Sequence, residues 1–298
     1  MNGVKPGGIL TDQCASIELG VKHVFGSETT QRYCSWHILH KLPTKLGRRE
    51  KESNVSSQVK EVVYYSQSVD EFEEKWVKLM DKIGKADDPW FTDIFEMREK
   101  WVPVYLNSQF WAGMNTTQQV ESMNAFLDNY LTRRESLKGF VECFDEALRS
   151  IWEREHKADH DSKYRAHKCN SDLPMEYQFQ EKYTNEIFLK CQEQFTLCMN
   201  LSCNLVAQQE EEALYVVADC WGKNYQVVYK RSTKEVFCIC RLFEVMGVVC
   251  SHSIQVLKHE REFCIGEKYF VDRWRKDIDR QNLTIVDSSH PSLPERNR

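Results

Sequence analysis

The sequence lacks long apolar runs, an excess of positive charge and internal repeats. No stretch approaches the roughly 18 consecutive apolar residues of a membrane-spanning helix, which excludes such a helix. Residues 1–12 also lack the apolar core of a secretory signal. With 40 lysines and arginines against 45 aspartates and glutamates, the net charge is −5. This balance excludes a chain-wide basic surface that holds nucleic acid by charge alone, but it permits a local basic face.

The composition indicates a folded globular protein. Hydrophobic residues make up 41% of the 298 residues and aromatic residues 12%, which is enough to bury a core in one large domain or two smaller ones. The twelve cysteines are compatible with a disulfide framework or with reduced thiols. The reduced state of the cytosol or nucleus is favoured, because no export signal is found and cysteines such as Cys143 and Cys191 occur singly on helix faces.

Apolar periodicity predicts a helix-rich body followed by a smaller module with strands. The predicted helices cover 12–24, 31–46, 69–85, a segment from 88 onward, 118–131, 136–165, 174–201 and 251–258. A short strand ending at Ile9-Leu10 precedes the first helix, Asp12 is its expected N-cap, and 47–57 is expected to be a loop. The predicted strands cover 214–220, 225–229 and 236–240. The fold class is therefore α+β and helix-rich.

Four residues near the C-terminus have the spacing of a metal site. Cys238 and Cys240 lie two apart on a predicted strand and share one face, and nine residues later Cys250 and His252 begin the next helix. Three thiolates and one imidazole form a closed tetrahedral shell, which is typical of structural zinc. The sequence therefore predicts a Zn²⁺ cofactor at this site. The alternatives are four reduced residues without a metal, or a ligand exchanged for His259 or Cys264.

The residues around this site resemble a known zinc module. The matching residues are Phe237-Cys238-Ile239-Cys240-Arg241-Leu242-Phe243-Glu244, Gly247, Cys250, His252 and, downstream, Lys268-Tyr269-Phe270 with Arg273-Trp274. The pattern resembles the SWIM zinc finger, and more closely the form found in the plant FAR-RED IMPAIRED RESPONSE and far-red elongated hypocotyl family. The resemblance implies a small β-hairpin-plus-helix finger.

The helical body resembles the transposase-derived part of the same family. The motifs occur in the order Thr11-Asp12-Gln13, Cys34-Ser35-Trp36-His37, Phe110-Trp111-Ala112-Gly113-Met114 and Glu121-Ser122-Met123-Asn124, followed by a connector that begins at Glu181-Lys182-Tyr183-Thr184. This order is similar to that of Mutator-like (MULE) transposases. The resemblance implies a partial RNase H-like domain with a helical insertion over residues 1–167. A helical connector over 168–213, the finger over 214–260 and a C-terminal segment over 261–298 follow.

The resemblance assigns candidate roles to four residues of the body. Asp12 matches the second catalytic aspartate, Glu121 the catalytic glutamate, and Cys34 and His37 the CxxH element between them. Each has a simpler alternative: Asp12 as a helix cap, Glu121 as a solvated carboxylate, and Cys34 with His37 as a packing or orienting pair. Such active sites use carboxylates because Mg²⁺ prefers oxygen ligands and paired ions stabilise both reacting oxygens.

The resemblance implies a regulator of transcription in the nucleus rather than an enzyme. The family's first catalytic aspartate lies upstream of the element that contains Asp12, and none of the eleven preceding residues is acidic. We therefore expect Asp12 and Glu121 to be vestigial, in a truncated paralogue or an incomplete gene model. The expected partners are DNA and nuclear transcription proteins, with no membrane and no small-molecule substrate. An active MULE transposase and a scaffold without regulatory role are the alternatives.

Overall fold

The computed structural model describes residues 5–47, 54–114, 118–128, 130, 136–220 and 222–278. Within these ranges most residues are helical, and the strands form two separate sheets. This arrangement confirms the predicted α+β, helix-rich class. None of the helices within the described ranges is long and apolar enough to cross a bilayer.

The body begins with a parallel β-α-β unit. Strand β1 (Gly8–Thr11) pairs in parallel with strand β2 (Thr30–Tyr33), and helix α1 (Ala15–Phe25) connects them. Two parallel strands need such a crossover connection, because the chain must return to the starting end of the first strand before the second strand begins. The short strand predicted at Ile9-Leu10 is confirmed. The helix predicted over 31–46 is wrong in its first part, which forms β2 because backbone pairing with β1 outweighs local helical periodicity.

One expectation for α1 is wrong. Its N-cap is Cys14 rather than Asp12, and the Asp12 carboxylate instead accepts a hydrogen bond from the Cys14 amide at 3.2 Å. The apolar face of α1 is also not covered, since Ile17 and Val24 are exposed and the helix has no buried residue. Periodicity identifies the apolar face of a helix but does not establish that another element packs on it.

Within the described residues of 35–106, six helices follow and build the first hydrophobic core. They are α2 (Ser35–Leu39), α3 (Leu42–Leu46), α4 (Val55–Tyr65), α5 (Val69–Lys82), α6 (Pro89–Glu96) and α7 (Pro103–Leu106). Trp76 and Trp101 are buried in this core, and Trp90 packs at its edge. The loop predicted over 47–57 is wrong at its end, because α4 begins at Val55 and buries Val55 and Val59. Residues 48–53 lie outside the described part.

The next two helices confirm the predicted segments. Helix α8 (Gln118–Asp128) lies within the predicted 118–131, of which residues 129 and 131 are not described. Helix α9 (Leu137–Tyr164) follows an N-cap at Ser136, whose hydroxyl accepts a hydrogen bond from the Gly139 amide at 3.1 Å. Ala147 and Ser162 are the buried residues of this helix, so most of its surface is exposed.

The segment predicted as one helix over 174–201 forms two helices. Helix α10 (Pro174–Lys182) ends at Tyr183, which is extended, and helix α11 (Asn185–Cys198) starts two residues later. The Tyr183 side chain is buried, and its hydroxyl accepts a hydrogen bond from the Val271 amide at 2.9 Å. This long-range anchor gives the physical reason for the break, and no local sequence signal predicts it.

The C-terminal module contains a four-stranded antiparallel sheet. Strands β3 (Ser202–Gln208), β4 (Glu212–Ala218), β5 (Asn224–Lys230) and β6 (Glu235–Cys238) are neighbours in chain order, and helices α12 (Leu242–Met246) and α13 (Ser251–His259) follow. Three strands were predicted, whereas β3 was not. Strand β3 lies at the edge of the sheet and is mostly exposed, so it lacks a clear alternation of apolar and polar residues.

One continuous core joins this sheet to the helices before and after it. Its buried residues come from α10, α11, β4, β5, β6, α13 and the segment 265–270. The sheet therefore packs directly against α10 and α11 and against the segment that follows α13. The boundaries predicted at 167, 213 and 260 stay predictions.

Trp111 connects the body to the C-terminal module. Its backbone amide donates a hydrogen bond to the Val245 carbonyl of α12 at 2.9 Å. The buried indole ring lies against β1 so closely that a Cβ atom at Gly8 would come within 2.7 Å of it. On β2, the Arg32 guanidinium is 5.3 Å from the ring centre. The Trp111 side chain thus contacts both strands of the body sheet, while its backbone holds α12.

Candidate metal centre

The first two candidate ligands lie where the sheet ends. Strand β6 ends at Cys238, which pairs with Val227 of β5, and Cys240 follows in the turn. The strand predicted over 236–240 is therefore shorter than expected, although the Ile239 amide still donates to the Gln226 carbonyl at 3.0 Å. The turn continues through Arg241, whose positive φ of 54° directs the chain into α12.

The other two candidate ligands lie at the start of α13, as predicted. Cys250 is the N-cap residue, and its sulfur accepts a hydrogen bond from the Ser253 amide at 3.4 Å. His252 is in the first turn of the same helix. Unpaired amides at a helix N-terminus favour negative charge, so this position suits a thiolate.

The fold brings the four side chains together. Their ligand atoms all lie within 4.8 Å of one another, and the Cys238 sulfur is 3.6 Å from Nδ1 of His252. A tetrahedral ion with Zn–S bonds near 2.3 Å separates two sulfurs by about 3.8 Å, so the cluster is close to the required size. Within the described part of the chain, this is the one group of three or more residues with metal-ligating side chains so arranged.

The environment of the thiols also fits a cation. Hydrogen bonds with Cys240 and Cys250, together with burial, raise the pKa of Cys238. Burial opposes ionisation of Cys250 as well, but hydrogen bonds from the neighbouring ligand side chains lower its pKa well below the ordinary value. Three buried thiolates repel one another unless a cation compensates their charge. The donor set therefore fits a divalent metal ion.

Tyr225 is a supporting residue that the sequence reasoning missed. Its ring stacks on the His252 imidazole with the ring centres 3.8 Å apart and the planes inclined by 22°. Burial raises the pKa of Tyr225 to about 12, so it is neutral at ordinary pH. The pairing of Val227 with Cys238 places Tyr225 opposite the position of Cys240. Because side chains two residues apart on a strand share a face, the sequence could have indicated that Tyr225 lies on the same face of the sheet as the ligands.

The two spare ligands do not join the cluster. His259 lies at the far end of α13 and contacts Tyr215, with the ring centres 5.2 Å apart. Cys264 is exposed beyond the helix. All twelve cysteines are free thiols.

The candidate residues of the body lie outside the cluster of four ligands. Asp12 is exposed and directly follows β1, so it lies at a strand end as the resemblance implies. Glu121 belongs to α8, but its side chain lies outside the described part. Cys34 is the buried N-cap of α2, and His37 lies within that helix. Neither belongs to a group of three metal-ligating residues among those described.

Known proteins resemble the chain along nearly its whole length. It is 33% identical over 297 residues to Protein FAR1-RELATED SEQUENCE 4 of Arabidopsis thaliana. The alignment covers 97% of this chain and 40% of that protein. It is 32% identical over 297 residues to FAR1-RELATED SEQUENCE 1 of the same plant, and this alignment covers 97% of the chain and 42% of that protein. It is 31% identical over 281 residues to FAR-RED IMPAIRED RESPONSE 1, also of the same plant, with 93% of the chain and 34% of that protein covered.

The chain thus spans less than half the length of these curated relatives. No family model and no solved structure matches it. The similarity to several relatives includes both the helical body and the Cys-His cluster. The chain belongs to the FAR-RED IMPAIRED RESPONSE family.

Proposed function

We propose that the chain is a zinc-binding nuclear protein, derived from a Mutator-like transposase, that regulates transcription without cleaving DNA. The observation that carries the proposal is the closed set of four ligands, Cys238, Cys240, Cys250 and His252. A catalytic zinc ion needs an open position for water or substrate, and four protein ligands leave none. The ion would therefore serve structure. Membership of the family supports the regulatory role and the nuclear location.

The proposed ion is zinc because of the ligand chemistry. Thiolates with one imidazole suit zinc, whereas magnesium and calcium prefer oxygen ligands. When bound, zinc would neutralise the buried thiolates and fix β6 to α13. Tyr225 would hold the imidazole ring through stacking, and the Ser253 amide would orient the Cys250 sulfur.

The proposed ancestry gives the body a partial RNase H-like fold and the C-terminal module a SWIM finger. The parallel pairing of β1 with β2, with Asp12 at the carboxyl end of β1, supports the first assignment. Two cysteines at the end of a strand, followed by a cysteine and a histidine at a helix start, support the second. DNA and nuclear transcription proteins are the proposed partners.

An active transposase remains the second candidate, because Asp12 lies at a strand end and Glu121 on a later helix. We favour an inactive site since the Asp12 carboxylate already accepts the Cys14 amide and is exposed.

We therefore expect this 298-residue chain not to nick DNA. The exposed Asp12 carboxylate, which already accepts a hydrogen bond from the Cys14 amide, is the observation behind this expectation. The purified chain is incubated with Mg²⁺ or Mn²⁺ and a terminal-inverted-repeat duplex, beside a control that carries Asp12→Ala and Glu121→Ala. Nicking by the unmodified chain but not by the control would establish the transposase alternative.

A reporter assay tests the regulatory role. The chain is tethered to a promoter in plant cell nuclei through a heterologous DNA-binding domain. We expect transcription to change relative to the tether alone, and expect the change to be lost with Cys240→Ser because the finger no longer folds. An unchanged reporter with a stable, nuclear fusion would favour the alternative of a scaffold without regulatory role.

A further inference from the structure

Strand β3 leaves one edge of the C-terminal sheet open. The strand order places β3 at one edge of this sheet and β6 at the other. The edge at β6 is covered, because the Tyr269 hydroxyl accepts a hydrogen bond from the Val236 amide at 2.8 Å and donates one to the Val236 carbonyl at 3.3 Å. Within the described part of the chain, the backbone of β3 forms hydrogen bonds with β4 alone. Its outward amides and carbonyls can therefore pair with another strand.

The side chains of β3 do not protect this edge. Proteins commonly protect edge strands with charged side chains, with proline or by keeping the strand short. The seven residues of β3, Ser-Cys-Asn-Leu-Val-Ala-Gln, include neither a charge nor a proline and extend for about 23 Å. A register shift at Val206 is the one irregularity of the strand, and its other six residues stay paired with β4. Strand β3 thus presents a long, uncharged edge.

The inner face of the sheet continues as far as this edge. Residues that are opposite each other in an antiparallel pair have their side chains on the same face. Cys203 pairs with the buried Val217, and Leu205 pairs with the buried Tyr215. Leu205 is nevertheless 45% exposed, because none of the described strands lies beyond it. A further strand with apolar side chains at every second position would cover Leu205.

The turn after β3 adds negative charge at one end of the edge. Glu210 and Glu211 are exposed, and the ion pair that this turn forms within the described ranges is that of Glu212 with Lys230, at 3.4 Å. The Arg231 guanidinium contacts a backbone carbonyl of the same turn. Glu210 and Glu211 would therefore attract basic side chains of a strand that pairs with β3.

We propose that the open edge of β3 binds an extended segment of another protein, which joins the sheet as an additional antiparallel strand. The segment has apolar residues at every second position, which cover Leu205, and basic residues at its N-terminal end, which face Glu210 and Glu211. Backbone hydrogen bonds supply the affinity of such a complex, and side chains supply its specificity. The inference goes beyond the proposed function, since neither zinc nor DNA takes part in the contact.

The orientation of the added strand follows from the sheet. All three pairs of neighbouring strands in this sheet are antiparallel, and antiparallel pairs are slightly more stable than parallel ones. Because β3 runs from Ser202 toward the acidic turn, an antiparallel partner begins beside that turn. The basic residues therefore belong at the N-terminal end of the partner segment.

Fluorescence anisotropy of labelled peptides with the intact chain tests the proposal. The probe is Lys-Lys-Thr-Val-Thr-Val-Thr, and its acidic counterpart is Glu-Glu-Thr-Val-Thr-Val-Thr. We expect the probe to bind with a dissociation constant on the order of 10–100 µM, because an extended peptide loses conformational freedom when it pairs. The acidic counterpart should bind at least about tenfold more weakly, because its carboxylates would face Glu210 and Glu211. Binding of neither peptide, or equal binding of both, would overturn the proposal.

Val206→Lys tests whether the edge itself is the binding site. A lysine on an edge strand opposes further pairing, so the probe should bind this variant at least about tenfold more weakly. Val77→Lys is the matched control, because Val77 is 52% exposed on α5, which belongs to the other core. Equal binding of the probe by the two variants would contradict binding at the edge. If the unmodified chain ignores the probe and Val206→Lys reduces its self-association, a second copy occupies the edge and the proposal is wrong.

A charge reversal tests the role of the acidic turn and does not depend on the folding of Val206→Lys. Glu210→Lys combined with Glu211→Lys should bind the acidic peptide more tightly than the probe, which reverses the preference of the unmodified chain. An unchanged preference would refute the role of the two carboxylates. The peptide Thr-Val-Thr-Val-Thr-Lys-Lys tests the orientation and should bind the unmodified chain more weakly than the probe. Tighter binding of this peptide would contradict the antiparallel arrangement.

Discussion

Replacing Cys240 by serine should release the metal ion and unfold the whole C-terminal core. Structural zinc contributes about 10–16 kcal/mol of apparent binding free energy in finger peptides at neutral pH, which exceeds the stability of many domains. Loss of one of four ligands also leaves the buried thiols crowded without a compensating cation. Because one core joins α10, α11, the sheet and α13, the effect should extend beyond 214–260. We expect the melting temperature of this core to fall by about 10 °C or more.

Hydrogen exchange can locate the unfolded region in this variant. Amides of α10, α11, β4, β5 and α13 should lose protection, while those of α5, which belong to the other core, should keep it. Cys264→Ser is the matched control, because Cys264 is exposed and outside the cluster. An unchanged melting temperature in Cys240→Ser would show that the cluster does not need its metal.

Replacing Trp111 by alanine should separate the body from the C-terminal module. Removal of a buried aromatic side chain typically costs about 3–5 kcal/mol. The indole also donates a hydrogen bond to the Leu106 carbonyl at 3.0 Å and covers Gly8 on β1. Without the ring, the buried Arg32 guanidinium loses its aromatic neighbour, and burial already lowers the pKa of Arg32 to about 10.

Denaturant unfolding followed by circular dichroism measures this effect. We expect one cooperative transition for the unmodified chain and two separated transitions for Trp111→Ala, because without the ring the backbone segment that holds α12 is no longer anchored to the body sheet. The matched control is Trp36→Ala, because the Trp36 side chain is 46% exposed and its ring stacks locally on His40. Equal losses of stability in the two variants would contradict a specific role for Trp111.

Local sequence signals predicted the amphipathic helices well. Helix α9 agrees with the predicted segment within a residue or two, and α6 begins after the predicted Asp88, which caps it through the Trp90 amide at 3.1 Å. Such features depend on side chains within one or two helical turns, so a short stretch of sequence is enough to predict them. The spacing of the four candidate ligands is local in the same sense.

Features set by distant partners were not predictable. Residues 30–33 form a strand because β1 lies beside them, and the helix break at Tyr183 depends on Val271. Tyr215 and Tyr229 of the C-terminal sheet are buried in a core that also includes the distant helices α10 and α11. The role of Trp111 as a bridge and the stacking of Tyr225 on His252 likewise require the folded arrangement.

Metal analysis of the purified chain tests the central claim most directly. After dialysis against metal-free buffer, we expect about one zinc ion per chain, as a closed Cys₃His set requires. A variant with Cys238→Ser and Cys250→Ser should contain essentially none, and Cys264→Ser should match the unmodified chain. A metal-free chain whose β6 and α13 amides are still protected from exchange would contradict the account.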